Sequence, residues 1–244
     1  MEYSNYKYIA SCVFTLRYPQ LSGRIQEYLL NHFPGIRIMR CCTERYKVRE
    51  YEEKMTGQYR DAWCRLPHYL PEAEDEVIVS ICHNCANIYS AQHPHARVIS
   101  LWELLLMDDR LQLPDFKGEK MTVQDCWRSN HNTAEQDAVR KLMNDMNISI
   151  VELEDNREKT RFCGYTLLQP QPPRNAIICP AKYRDEADAQ RLFQPHTDEE
   201  KLEILANYCK RYTTERVVTY CHYCTDGIRM AGKPVSHLAE MIFK

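Results

Sequence analysis

One cysteine pattern runs twice through this chain of 244 residues. The first copy is Cys12, the adjacent pair Cys41-Cys42, and Cys82-His83-Asn84-Cys85. The second is Cys126, then Phe162-Cys163-Gly164, and Cys221-His222-Tyr223-Cys224. Nine of the twelve cysteines fit this scheme. Any fold that serves it must bring three distant segments together, and do so twice. Four or five thiolates gathered from separate segments are how proteins hold polynuclear metal clusters, so an iron–sulfur centre is the first expectation.

Composition removes several competitors. Formal net charge is −2, which leaves no basic field for nucleic acid or anionic lipid. No apolar run approaches the roughly 18 residues of a membrane span. Met1 to Lys7 lacks the charged-then-apolar order of a signal peptide. The expectation is therefore a cytoplasmic protein with reduced thiols. A disulfide scaffold is the bland reading of so many cysteines, but it suits small secreted domains rather than a chain of this length.

The order of elements repeats with the cysteines. Tyr8 to Ser11 reads as a strand delivering Cys12; Leu21, Ile25, Tyr28, Leu29 and Phe33 recur at helical spacing; Ile36 to Arg40 reads as a strand delivering Cys41-Cys42. Thr43 to Glu76 is a polar insertion with short helical pieces. Val77 to Ile81 is a buried strand delivering Cys82, and Leu101, Leu104 and Leu105 mark a closing helix. In the second half, Met121 to Asp125 delivers Cys126. Thr133 to Met146 reads as a helix, with Thr133 and Gln136 as its capping box. Ile148 to Val151 leads toward Cys163, Val217 to Tyr220 delivers Cys221, and Val235 to Phe243 reads as a terminal helix. The expected architecture is α/β: two pseudo-symmetric Rossmann-like halves, 1–112 and 119–244, joined by a linker at 113–118. Their sheets are mainly parallel, with the cysteines at the carboxyl ends of strands, where such folds build sites.

The order of a single Cys, a Cys-Cys pair and a C-x-x-C, given twice, resembles the cysteine-rich CCG-domain family. Its members include the cysteine-rich, disulfide-cleaving component of heterodisulfide reductase and an iron–sulfur component of bacterial lactate-utilisation systems. Arg17-Tyr18-Pro19 after the first cysteine, Asp125-Cys126 at the opening of the second repeat, and the terminal His237 to Ile242 are similar to segments of that family. The resemblance implies one or two [4Fe–4S] clusters. It assigns Cys12, Cys41, Cys42, Cys82 and Cys85 to a five-thiolate site that can be non-cubane, and favours Cys41 and Cys42 as the reactive end. The chain departs from the family at Thr43, where the family has Gly, and at Phe162, where it has the first Cys of the pair. Trp127 stands where a polar residue often follows the cysteine. The second site is thus Cys126, Cys163, Cys221 and Cys224, a set that suits a cubane cluster or tetrahedral zinc.

Three functions follow as expectations. The first is a redox component that reduces a disulfide or similar acceptor, with a small thiol or disulfide as substrate and a partner protein as electron source. The second is a pure electron-transfer component of an organic-acid oxidation complex. The third is a zinc-stabilised structural module. The sequence shows no G-x-G-x-x-G, P-loop, H-E-x-x-H or ferredoxin-type cysteine run. Cys64, Cys179 and Cys209 fit neither repeat and read as structural; His83 and His222 read as residues that orient sulfurs rather than ligands.

Overall fold

The central strands are buried on both faces, as strands covered by helices on either side must be. In the computed structural model, which describes residues 2–40, 48–169 and 193–244, they form two separate four-stranded sheets, all parallel. The chain divides into two compact units, Met1–Leu111 with Phe243–Lys244, and Gln112–Ile242. Residues 113–118 carry neither helix nor strand.

In the first unit the strands are β1 (Tyr6–Ala10), β2 (Arg37–Arg40), β3 (Val77–Ser80) and β4 (Arg97–Ser100), ordered β2-β1-β3-β4. Helices α1 (Cys12–Arg17) and α2 (Pro19–His32) connect β1 to β2. α3 (Val48–Lys54) and α4 (Gly57–Arg65) precede β3, α5 (His83–Gln92) leads to β4, and α6 (Leu101–Leu105) follows. α2 opens on Pro19, whose missing N–H costs nothing there, and buries Leu21, Ile25 and Leu29 on one face. α6 is held by a full capping box between Ser100 and Glu103.

The second unit repeats the plan. Its strands are β5 (Lys120–Gln124), β6 (Ser149–Val151), β7 (Arg216–Thr219) and β8 (Val235–His237), ordered β6-β5-β7-β8. α7 (Thr133–Asp145) crosses from β5 to β6, α8 (Asp198–Cys209) precedes β7, α9 (His222–Met230) joins β7 to β8, and α10 (Leu238–Ile242) follows. In each sheet the crossovers leave the first strand in opposite directions, so the switch point lies between β1 and β3, and between β5 and β7. Side chains just past those strand ends face a ready-made crevice.

Two local expectations need correction. Val235 to Phe243 is not one helix. Val235, Ser236 and His237 pair with Val217, Val218 and Thr219 as an edge strand, and only Leu238–Ile242 is helical. Backbone partners along β7 outweigh the weak propensity of so short a helix. The cap of α7 is Asn132, not Thr133: its Oδ1 accepts from Glu135 N at 3.1 Å. Gln136 instead turns inward and donates from Nε2 to Ser129 O and Asn130 O. Asn is the better cap, and the shift of one residue lets Gln136 brace the turn that follows Cys126.

Candidate metal centre

Four cysteines converge in the second unit. The Sγ atoms of Cys126, Cys163, Cys221 and Cys224 all lie within 4.8 Å of one another, and all four residues are buried. Cys126 Sγ and Cys163 Sγ are 3.6 Å apart. Local structure explains each position. Cys126 and Cys221 stand two residues beyond Gln124 and Thr219, which are paired in register across β5 and β7. Cys221 caps α9, and Cys224 falls in its first turn. There Thr225 N bonds to Cys221 O at 2.9 Å, and Thr225 Oγ1 meets Thr219 Oγ1 at 2.6 Å. The helix N-terminus favours negative sulfur at both positions.

Cys163 arrives on a loop, and the loop is pinned. Trp127 N donates to Phe162 O at 3.1 Å, and the Phe162 ring stacks on Tyr208 with centroids 4.1 Å apart. Beneath it, Gln124 donates to Asp125 O and Thr160 Oγ1 and accepts from the hydroxyls of Tyr208 and Tyr212. Gly164 then turns the chain with φ +51° against the first turn of α9. A Cβ there would sit 1.7 Å from Tyr223 O. Only glycine lets Cys163 approach Cys224 this closely.

Cys126 has its own brace. The carboxylate of Asp125 is buried and receives both Nη atoms of Arg140, at 3.0 and 2.8 Å. It also accepts from Tyr220 Oη and Arg157 N, each at 2.7 Å. Burial raises its pKa, but these donors and the Arg140 charge hold it below the usual carboxylate range.

The four thiols do not ionise alike. Burial, with hydrogen bonding from Cys163 and Cys221, pushes the Cys126 thiol well up; burial and the other three sulfurs do the same to Cys224. Cys163 differs. Burial opposes its ionisation, yet hydrogen bonds from Cys126 and Cys224 and the charge of Arg128 bring it below the ordinary thiol value. Arg128 Nη1 donates to Cys163 Sγ, and its guanidinium lies over the rings of Trp127 and Tyr223, at 4.9 and 5.4 Å from their centroids. Four sulfurs at these distances fit a metal ion: with Zn–S near 2.3 Å, a tetrahedral site places its sulfurs about 3.8 Å apart.

In the first unit Cys12 and Cys82 lie just past the ends of β1 and β3, and Cys85 falls in the first turn of α5. Cys12, Cys82 and Cys85 are all buried. Cys82 caps α5, and Ser80 Oγ bonds both its N and its O. Trp63 donates to Ala10 O and carries the Arg40 guanidinium over its ring, which walls the ends of β1 and β2. Cys85 and Cys82 lie near the buried Tyr8 phenol, whose ionisation is suppressed by burial first and then by those sulfurs. Cys41 and Cys42 fall outside the described residues, as does Cys179. Among the described residues, no group of three metal-type ligands in this unit converges as in the second. One difference is visible in the register. Ile9 pairs with Ser80, so Ser11 is level with Cys82, and Cys12 stands one residue further on, inside α1, with Ser11 as the cap.

Of the remaining cysteines, Cys209 packs in the apolar cluster around the four-sulfur site. Cys64 is half-buried on α4, donating to Glu52 at 3.2 Å. Sequence reading passed over Arg128, Gln124 and Tyr208. Their only cue was position: Arg128 two residues after a candidate ligand, Gln124 a polar residue ending an apolar strand.

No protein-family model and no curated protein matches this chain. Distant likeness extends to solved structures. An aspartate racemase from Picrophilus torridus is 12% identical with a TM-score of 0.31, over 97% of this chain and 89% of that one. An aspartate racemase homologue from Pyrococcus horikoshii OT3 is 10% identical with a TM-score of 0.29, over 98% and 95%. A periplasmic ribose ABC transporter protein from Conexibacter woesei is 11% identical with a TM-score of 0.25, over 93% and 67%. At these values the likeness carries no argument about function.

Proposed function

We propose that this chain is a metal-dependent redox protein of the CCG type, with a tetrathiolate metal centre in its second unit. The observation that carries the reading is the convergence of four buried cysteines at the β5–β7 switch point. As the sulfurs stand, their spacing suits a single tetrahedral ion, zinc or iron, near the expected sulfur separation of about 3.8 Å. A four-iron cluster binds each thiolate to a different iron and needs the sulfurs further apart. Such a cluster would require the Cys163 loop to move outward.

The redox reading is supported by the twofold cysteine order, by the same strand order in both sheets, and by a C-x-x-C at the start of the helix after each central β3 or β7 strand. In this reading Cys12, Cys41, Cys42, Cys82 and Cys85 hold a [4Fe–4S] cluster, which supplies one-electron transfer when bound. Reduction of a disulfide takes two electrons and two protons and yields two thiols; the electrons come from a partner protein. In the second unit this chain's own residues hold the sulfurs, set their charge and exclude water with Phe162, Trp127 and Tyr208. A relay role in an organic-acid oxidation complex uses the same centres with no substrate on this chain.

Anaerobic purification followed by zinc, iron and acid-labile sulfide analysis, with electron paramagnetic resonance, tests this reading. Iron with sulfide, lost on Cys82→Ala, supports a cluster in the first unit. Zinc lost on Cys224→Ala, alone and with no sulfide, reduces the protein to a zinc-stabilised module. Protein with neither metal, before and after reconstitution, overturns the proposal.

A further inference from the structure

The reading of a thiolate metal centre leaves one buried group without a role. Arg128 sits next but one to Cys126 and is only 6% exposed. Burying a guanidinium is costly unless a negative partner faces it. Asp125, the acidic residue nearest in sequence, is already engaged by both Nη atoms of Arg140. Arg128 Nη1 points instead to Cys163 Sγ, and Thr166 Oγ1 lies 3.5 Å from the same nitrogen. The planes of Trp127 and Tyr223 hold the guanidinium by cation–π contact, so it cannot swing away without giving up both rings.

We propose that Arg128 is a built-in counter-cation of the metal centre, which stays hydrogen-bonded to the Cys163 thiolate when the metal is bound and makes the four sulfurs unequal. The inference rests on the proposed metal–thiolate reading of this site. Four thiolates around a divalent ion leave two negative charges in an apolar pocket, and Arg128 cancels one of them. An N–H donor to a metal-bound sulfur withdraws electron density from it. In a zinc site this protects the Cys163–metal bond from attack; in an iron site it raises the reduction potential. Arg rather than Lys fits the place, because a planar guanidinium can stack on two rings while donating in its own plane.

The proposal makes Arg128 a positioning residue, and its test is spectroscopic. Wild-type protein loaded with 113Cd should show scalar coupling between the metal and an Nη proton of one arginine, transmitted through the Cys163 sulfur. Cobalt loading should show a sulfur-to-cobalt charge-transfer band that shifts to lower energy in Arg128→Gln, because the sulfur becomes more electron-rich. Metal affinity should fall about 10- to 100-fold in Arg128→Gln, as for loss of other residues that hold metal ligands. Arg128→Lys should recover part of it. Absence of the coupling in the cadmium-loaded wild type overturns the inference without any variant being needed. So does an unshifted cobalt band with affinity within twofold of wild type. Wild-type protein that takes up neither cadmium nor cobalt at the four cysteines overturns the metal reading itself, a distinct result.

Discussion

Replacement of Gly164 by alanine offers a direct test of how the four sulfurs are brought together. The new Cβ would fall 1.7 Å from Tyr223 O, 2.5 Å from Tyr223 C and 3.0 Å from Cys224 Cα. All three are backbone atoms, so no side chain can rotate out of the way. Restoring even a 3.0 Å contact to Tyr223 O requires the Cys163 loop and the first turn of α9 to part by 1.3 Å. Metal–ligand bonds tolerate about 0.2 Å. The chain can relax when the site is empty, but the overlap returns when metal draws Cys163 and Cys224 together. Overpacking of this kind costs about 1–3 kcal/mol, which at 1.4 kcal/mol per decade is a roughly 5- to 150-fold loss of metal affinity. The left-handed φ of +51° adds about 1–2 kcal/mol of strain in both loaded and empty states. Gly232→Ala separates the two effects: its φ is +76°, but no atom lies within 4 Å of the added Cβ. It should lower thermal stability and leave affinity unchanged. Competition with a chromophoric chelator measures affinity, and thermal melting with and without metal measures the strain. The reasoning fails if Gly164→Ala binds metal as wild type does, or if Gly232→Ala loses affinity equally.

Three further outcomes are expected. Asp125→Asn should destabilise by about 1–3 kcal/mol, because Arg140 loses its buried partner while keeping the partly exposed Glu152 carboxylate, bonded at 2.6 and 2.7 Å. The Asp125 carboxyl is depressed in the fold, so its contribution is full above the unfolded value near pH 4 and is lost as pH falls through the lower folded value; denaturant titrations of wild type and Asp125→Asn should converge at strongly acid pH, and a constant gap there would sink the argument. Loading the site at pH 7 should release protons, including those of Cys126 and Cys224, whose thiols burial holds protonated in the absence of metal; affinity should then rise with pH, and calorimetry in buffers of different ionisation heat that found no proton release would contradict it. Phe162→Ala should cost about 3–5 kcal/mol in the loaded protein through loss of the Tyr208 stack, read by chemical denaturation, whereas a change under about 1 kcal/mol would show that the ring does not hold the Cys163 loop.

The alternation of apolar strands with helical periods was enough to place two parallel α/β halves, because a strand buried on both faces leaves an unbroken apolar run such as Val77-Ile78-Val79. The cysteine spacing likewise pointed to Cys126, Cys163, Cys221 and Cys224 as one group, since each follows a strand or its loop and strand ends of one sheet are neighbours. What the chain alone did not reveal depends on pairing and approach. The edge strand Val235–His237 exists because β7 offers it backbone partners, and three residues carry too little pattern to announce that. The one-residue offset of Cys12 against Cys126 emerges only from the register of β1 with β3 and of β5 with β7. The need for Gly164 comes from the carbonyl of Tyr223, 59 positions away in the sequence. Arg128 reads as an ordinary polar residue until the fold removes water from around it and sets the Cys163 sulfur against its guanidinium. Solvent exclusion and close approach are properties of the packed chain, and these decided the charge and the spacing of the site.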